Sequence, residues 1–406
     1  MAVPLPSALP ITSWSAVNAL GQTTREVLGA LDAGRSGLRP PSFELPFTTM
    51  IGAVPDPLPP LPAKYSEYEC RLARLGMLAL ADLRTPVERA IARWGAHRVA
   101  ILLGTSTGGL DATEAAYRHW LSEKKLPEGY SLSTQHDFGA LGDLYASVTG
   151  AEGPRFVVST ACSSSGKVHA SARRMIRAGL IDAAIVGGVD SLCRMTLHGF
   201  RGLGILSESA CQPFGRGRAG INIGEGAALM LIERDAAHQA ASLDGPQVHL
   251  LGVGESSDAY NMSSPEPSGR GAREAMERAM EQAGISAGDV DHLNAHATAT
   301  PQNDLAESIA IAALFGDRVP VVSTKGYTGH LLGAAGATEA VFAIHAVRTG
   351  RIPRSLGSED LDPEIRISVA VEGGERPIRR VLSSSFAFGG SNVCLAIGTS
   401  GSGESA

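Results

Sequence analysis

The sequence predicts an α/β fold built from two similar halves, and three observations predict it. Short, β-rich apolar runs alternate with longer segments of helical spacing. The runs fall into two sets on either side of a polar stretch at 235–246. The tetrapeptide Val157-Val158-Ser159-Thr160 recurs as Val321-Val322-Ser323-Thr324, and each copy enters a small-residue turn and a helix. Upstream of each copy, an apolar run ends in a threonine-rich turn, ILLGTSTGG at 101–109 and LNAHATAT at 293–300.

In chain order, buried strands are expected at 99–104 (VAILLG), 156–160 (FVVST), 183–187 (AAIVG) and 227–233 (AALMLIE). Between the second and third lies a helix at 167–180, with Val168, Ala172 and Ile176 on one face. The second set expects strands at 249–253, 290–295, 319–324, 367–371, 380–385 and 393–398. Helices at 270–283, 304–314 and 334–348 lie among them. Strands interleaved with helices mean an α/β class. The halves are placed at 1–240 and 247–398, and the tail 399–406 (TSGSGESA) has the composition of a disordered end.

Bulk properties set outer limits. With 406 residues, 44% hydrophobic and 19% charged, the chain can bury a large core. A net charge of −6 argues against nucleic acid or an anionic membrane surface as the main partner. Local basic patches could still dock an acidic protein. Five cysteines (Cys70, Cys162, Cys193, Cys211, Cys394) form no C-x-x-C pair and suit a reducing, cytoplasmic setting. The first residues lack a basic, then apolar, signal pattern, and no run is long enough for a membrane span.

Cys162 stands out because it follows a buried strand and opens the run CSSSGKVHASARR. A strand-to-helix elbow aims free N–H groups and the positive end of the helix at its sulfur, which favours a nucleophilic thiolate. A cysteine without that setting is ordinarily a core filler, and the other four are read so. His296 ends an apolar strand in HATATP, and His330 sits in KGYTGHLLGAAG before a helix. If the halves match, these turns converge on one crevice with Cys162. The other nine histidines have no such setting. There is no zinc-ligand spacing and no phosphate loop, so no metal is expected.

The segments STACSSS, NAHATATPQND, STKGYTGHLLGAAGATEA and SSSFAFGGSN resemble the signatures of the elongating β-ketoacyl-acyl-carrier-protein synthases. So do QPFGRGRAGINIGEGAALMLIE and SSDAY, and the motifs run in the family's order from Gly34 to Asn392. The resemblance implies a thiolase fold, layered α-β-α-β-α, usually dimeric. It implies decarboxylative Claisen condensation of an acyl group on Cys162 with a malonyl unit. His296 and His330 would assist decarboxylation, with Lys325 ordering them and Glu339 as its partner. Backbone N–H groups of Cys162 and Phe388 would form the oxyanion hole. Thr298 and Thr300 would bind the pantetheine arm, Phe388 would gate the acyl pocket, and Thr107 would set its depth. The substrates would ride on the phosphopantetheine of an acyl carrier protein, with no tightly bound cofactor. The Cys-His-His set matches the elongating class better than the Cys-His-Asn of initiating synthases or the Cys-His-Cys of thiolases.

Several positions depart from the family pattern. Ala297, Ala299 and Ala387 replace glycine or another small residue, and would be strained wherever φ is positive. Gly215 and Ala219 replace acidic residues, and Asn261 replaces a histidine. The polar run Gln135-His136-Asp137-Phe138 falls where a partner subunit usually lines the acyl pocket. It suggests an unsaturated, aryl-bearing or polyketide-like acyl group, as in the aryl-polyene synthases, unless these side chains bond one another. A non-catalytic partner subunit of the chain-length-factor kind is the alternative reading, against which Cys162 and both histidines speak. The dimer could be a homodimer or a heterodimer with such a subunit.

Overall fold

The computed structural model describes residues 8–236 and 245–400. Ten strands form one hydrogen-bonded sheet: β1 (Leu9–Asn18), β2 (Val99–Gly104), β3 (Arg155–Val158), β4 (Ala183–Asp190), β5 (Gly226–Glu233), β6 (His249–Ser257), β7 (His292–Asn294), β8 (Val321–Val322), β9 (Arg380–Ala387) and β10 (Ser391–Gly398). Across the sheet they run β8-β7-β9-β10-β6-β1-β5-β4-β2-β3. This order contains one pattern twice. In each run of five, the third strand to appear is outermost, followed by the second, fourth, fifth and first.

The directions repeat as well. β3 and β4 flank β2 in parallel, and β5 and β1 continue antiparallel. β8 and β9 flank β7 in parallel, and β10 and β6 continue antiparallel. The VVST echo therefore marks equivalent strands, β3 and β8. Only Leu9 and Pro10 of β1 pair with β6, so the five-strand units are stitched through two residues.

Helices fill three layers around these units. Helix α1 (Arg71–Trp94) packs outside the first unit, burying Leu75, Leu80 and Leu83. Helix α2 (Ser164–Arg177) lies between the units, with Val168, Ala172 and Ile176 in the shared core, as their spacing predicts. Helix α3 (Arg270–Ala283) covers the outer face of the second unit together with α4 (Pro301–Phe315). Helix α5 (Ala335–Thr349) is buried along almost its whole length and joins α2 in the central layer. The arrangement is α-β-α-β-α, as expected.

Three local expectations change. The 367–371 run is not a strand; a single bridge sets Val369 beside Val321 of β8, whose N–H donates to the Ser368 carbonyl and whose carbonyl accepts the Ala370 N–H. β1 was not anticipated, because Pro10, Ser13 and Ser15 and a register shift between Ile11 and Ser13 hide its alternation. α1 was not anticipated either, carrying Pro86 and Gly76 inside a helix. Gly76 has a reason: a Cβ there would lie 2.8 Å from the Tyr145 hydroxyl, which donates to the Gly76 carbonyl. Most of the 235–246 stretch, at 237–244, and the tail from 401 lie outside the described residues.

Candidate active site

The three parallel strand ends point at one crevice. β3 turns at Ala161, whose φ of 51° is in the left-handed region, and this sharp elbow presents Cys162 ahead of α2. β7 runs into His296, and β8 runs into Lys325 and His330. The Cys162 sulfur and one nitrogen of each histidine lie within 4.8 Å of one another. The imidazoles meet edge to face, with centroids 5.2 Å apart. Two parallel strand triplets, one from each unit, bring together residues from positions 162, 296 and 330.

Electrostatics set the protonation states. Burial pushes the Cys162 thiol up to about 12, against the pull of the nearby Lys325 ammonium. The expected thiolate is therefore not the resting state: loss of water around the sulfur outweighs the helix end. Burial holds both histidines well below 6.5, and Lys325 adds to that, so both are neutral near pH 7. His330 Nδ1 accepts the Leu332 N–H at 3.2 Å, which assigns its proton to Nε2. That Nε2, and Nδ1 of His296, are buried without a protein partner. A neutral imidazole beside a thiol can accept its proton, and an Nε2–H can donate to a developing oxyanion.

Lys325 is buried and donates to Glu339 Oε1 at 2.6 Å. Its positive charge is felt by Cys162, His296 and His330 alike. These three have the side-chain types of a metal site, but an ammonium facing all of them opposes a second cation.

The cleft above these groups has a volume of about 230 Å³ and is open at its mouth. Thr298 and Thr300 line it, their hydroxyls 3.0 Å apart, together with Phe386 and Asn392. Phe388 stands at the entrance, 36% exposed, its ring 6.0 Å from that of Phe200. Thr107 does not line this cleft: its hydroxyl donates to Asp190 at 2.7 Å. The polar run at 135–138 also finds partners within the chain. His136 Nδ1 bonds the Thr113 hydroxyl, Gln135 accepts from the Ser131 N–H, and Asp137 from the Gly139 N–H. Each of these three side chains thus has a hydrogen-bond partner within the chain, in keeping with the alternative that the run serves local structure.

Ala297 and Ala299 do take positive φ, at 32° and 64°, whereas Ala387 is extended and unstrained. Two buried carboxylates hold the strained turn. Glu307 accepts the N–H groups of His296 and Ala297, and Asp304 accepts that of Ala299. Neither acid was singled out from sequence, although their i, i+3 spacing in PQNDLAE placed both on one helix face. Ala299→Gly is expected to stabilise by up to about 1 kcal/mol, the left-handed cost exceeding the added chain entropy. The shift in denaturant midpoint checks it.

The profile described as "Beta-ketoacyl synthase, N-terminal domain" matches residues 79–238, and "Beta-ketoacyl synthase, C-terminal domain" matches 248–359. The chain is a β-ketoacyl synthase. It is 33% identical to 3-oxoacyl-[acyl-carrier-protein] synthase 2 of Staphylococcus aureus, over 80% of this chain and 84% of that one. A ketosynthase from Xenorhabdus doucetiae, solved in complex with its chain length factor, superimposes with a TM-score of 0.90 at 37% identity. The match covers 97% of this chain and 98% of that one. The ishigamide ketosynthase/chain length factor superimposes with a TM-score of 0.87 at 27% identity, over 97% and 99%. This synthase is thus an acyltransferase that condenses an acyl group with a malonyl-derived carbon. Among the described residues, no helix is long and apolar enough to cross a membrane.

Proposed function

We propose that Cys162 carries the acyl group and that His296 and His330 activate the malonyl unit. The observation that supports this is the convergence of one thiol and two neutral imidazoles within 4.8 Å, beside a buried Lys325–Glu339 pair. The Cys162 proton passes to an imidazole as sulfur attacks the acyl thioester, and the carrier thiol leaves with a proton. The N–H groups of Cys162 and Phe388 hold the tetrahedral oxyanion. Malonyl thioester then loses carbon dioxide, and N–H donors of His296 and His330 stabilise the enolate oxygen. The enolate carbon attacks the acyl-cysteine and the sulfur departs. Thr298 and Thr300 bind the pantetheine arm of an acyl carrier protein, along the cleft that they line.

The partner in this reading is a chain-length-factor-like subunit, supported by the 37% identical ketosynthase that was solved with one. With such a partner we propose an unsaturated, aryl-bearing or polyketide-like acyl substrate, whose length the second subunit would limit. The reaction is placed in the cytoplasm, in keeping with five free cysteines.

Intact-mass spectrometry of wild type and Cys162→Ala, with a panel of acyl-carrier thioesters, tests both levels. Expected is an adduct on wild type alone, discharged as ketoacyl product by malonyl-carrier protein. Equal or better loading and turnover of saturated chains would sink the substrate reading. No adduct from any donor, with the partner subunit present, would sink the catalytic one.

A further inference from the structure

Asp190 ends β4, is fully buried, and bears on the reacting groups above only through its charge, which raises the Cys162 thiol further. Its two oxygens serve different halves of the molecule. Oδ1 accepts from the Thr105 hydroxyl at 2.8 Å, the Ser106 and Thr107 N–H groups at 2.9 and 2.8 Å, and the Thr107 hydroxyl. Oδ2 accepts the Ala334 N–H at 3.1 Å and shares that of Ser106. Ala334 closes the short turn that follows His330. Within this turn Leu332 has φ of 51°, a left-handed conformation that a branched residue adopts only under constraint. The same turn places the Leu332 N–H on His330 Nδ1. Gly333 presses against the same carboxylate: a Cβ there would stand 2.7 Å from Asp190 Oδ2 and 2.7 Å from the Ser106 nitrogen.

We propose that Asp190 is a positioning residue for His330, its carboxylate holding the 331–334 turn in the conformation that presents the His330 Nε2 proton to the cleft. A carboxylate suits the task because every group facing it is a donor. An amide cannot replace it. With its oxygen at the Oδ1 position, it keeps the first-half donors and turns an NH2 toward the Ala334 N–H. The tie to the second half is lost, Leu332 relaxes, and Nδ1 loses the donor that fixes the tautomer. Ser106, whose N–H bridges both oxygens, makes the two turns one unit.

The inference rests on the role given to His330 above, and its test separates the two. Histidine-labelled protein is examined by two-bond 15N–1H correlation, with His330→Ala identifying the signal. Expected in the wild type is a protonated Nε2 and an acceptor-type Nδ1; a protonated Nδ1 would overturn the inference whatever the variants do. In Asp190→Asn, both tautomers are expected. Acyl loading of Cys162 should stay within about threefold, while condensation falls roughly ten- to a hundredfold, the scale of a misplaced catalytic group. Unchanged condensation, or loading and condensation falling together, would overturn it. If His330→Ala itself condensed normally, the fault would lie with the role of His330 instead.

Discussion

His330→Ala is expected to load Cys162 with acyl group and to stop there. The imidazole is neutral, with its proton assigned to Nε2, and that nitrogen has no protein partner. A donor held free in a dry site is suited to charge that appears only during reaction. The growing oxygen charge in malonyl decarboxylation is such a charge. The acyl transfer step has Cys162 at an elbow and His296 beside it, so it keeps a proton acceptor and a nucleophile. Condensation should fall about 10²- to 10⁴-fold, the usual range for a positioned acid–base group. Loading, followed by intact mass, should change far less. Release of labelled carbon dioxide from malonyl-carrier protein reads the decarboxylation step directly. Loss of loading and decarboxylation by equal factors would mean that His330 serves Cys162 rather than the malonyl unit.

Much of this arrangement could be read from the residues, and the gaps have physical causes. The strands at 99–104, 183–187 and 227–233 were legible because strands buried on both faces read as unbroken apolar runs. The echo of VVST was legible because duplicate units need the same edge strand and turn. β1 was not, since a strand shared between units alternates with neither face and carries a bulge and a proline. Cys162, His296 and His330 could be named from their turns, and Lys325 and Glu339 from the family resemblance; the structure places all five close together. The carboxylates behind them could not, because Asp190, Asp304 and Glu307 each owe their placement to backbone N–H groups of other turns. Nothing in local sequence marks an acid that accepts distant N–H groups. Thr107 shows the converse: a side chain beside the expected pocket turned away to Asp190. The resting thiol was missed for a related reason. The elbow and the helix end are visible in sequence, but the depth of burial that outweighs them depends on both halves.

Lys325→Ala should destabilise the synthase more than any other single change in the site. It leaves Glu339 buried with no counter-charge, and breaking such a pair costs about 3–5 kcal/mol. Burial already raises the Glu339 carboxyl, and loss of Lys325 removes the group that acts against this. The sign of the pH effect follows. A carboxyl raised above its unfolded value of about 4.3 favours the folded state when protonated. The deficit of the variant should therefore be largest near neutral pH and shrink as pH falls toward that value. Denaturant midpoints across this range measure it, and a deficit independent of pH would contradict the argument. Exchanging both partners, as Lys325→Met with Glu339→Gln, removes both charges and should recover most of the stability. It should not recover condensation, because the ammonium also bears on Cys162, His296 and His330. A double variant that is stable yet still condenses at the wild-type rate would confine Lys325 to holding the fold. One that is stable and inactive would show that its charge is needed where the three reacting side chains meet.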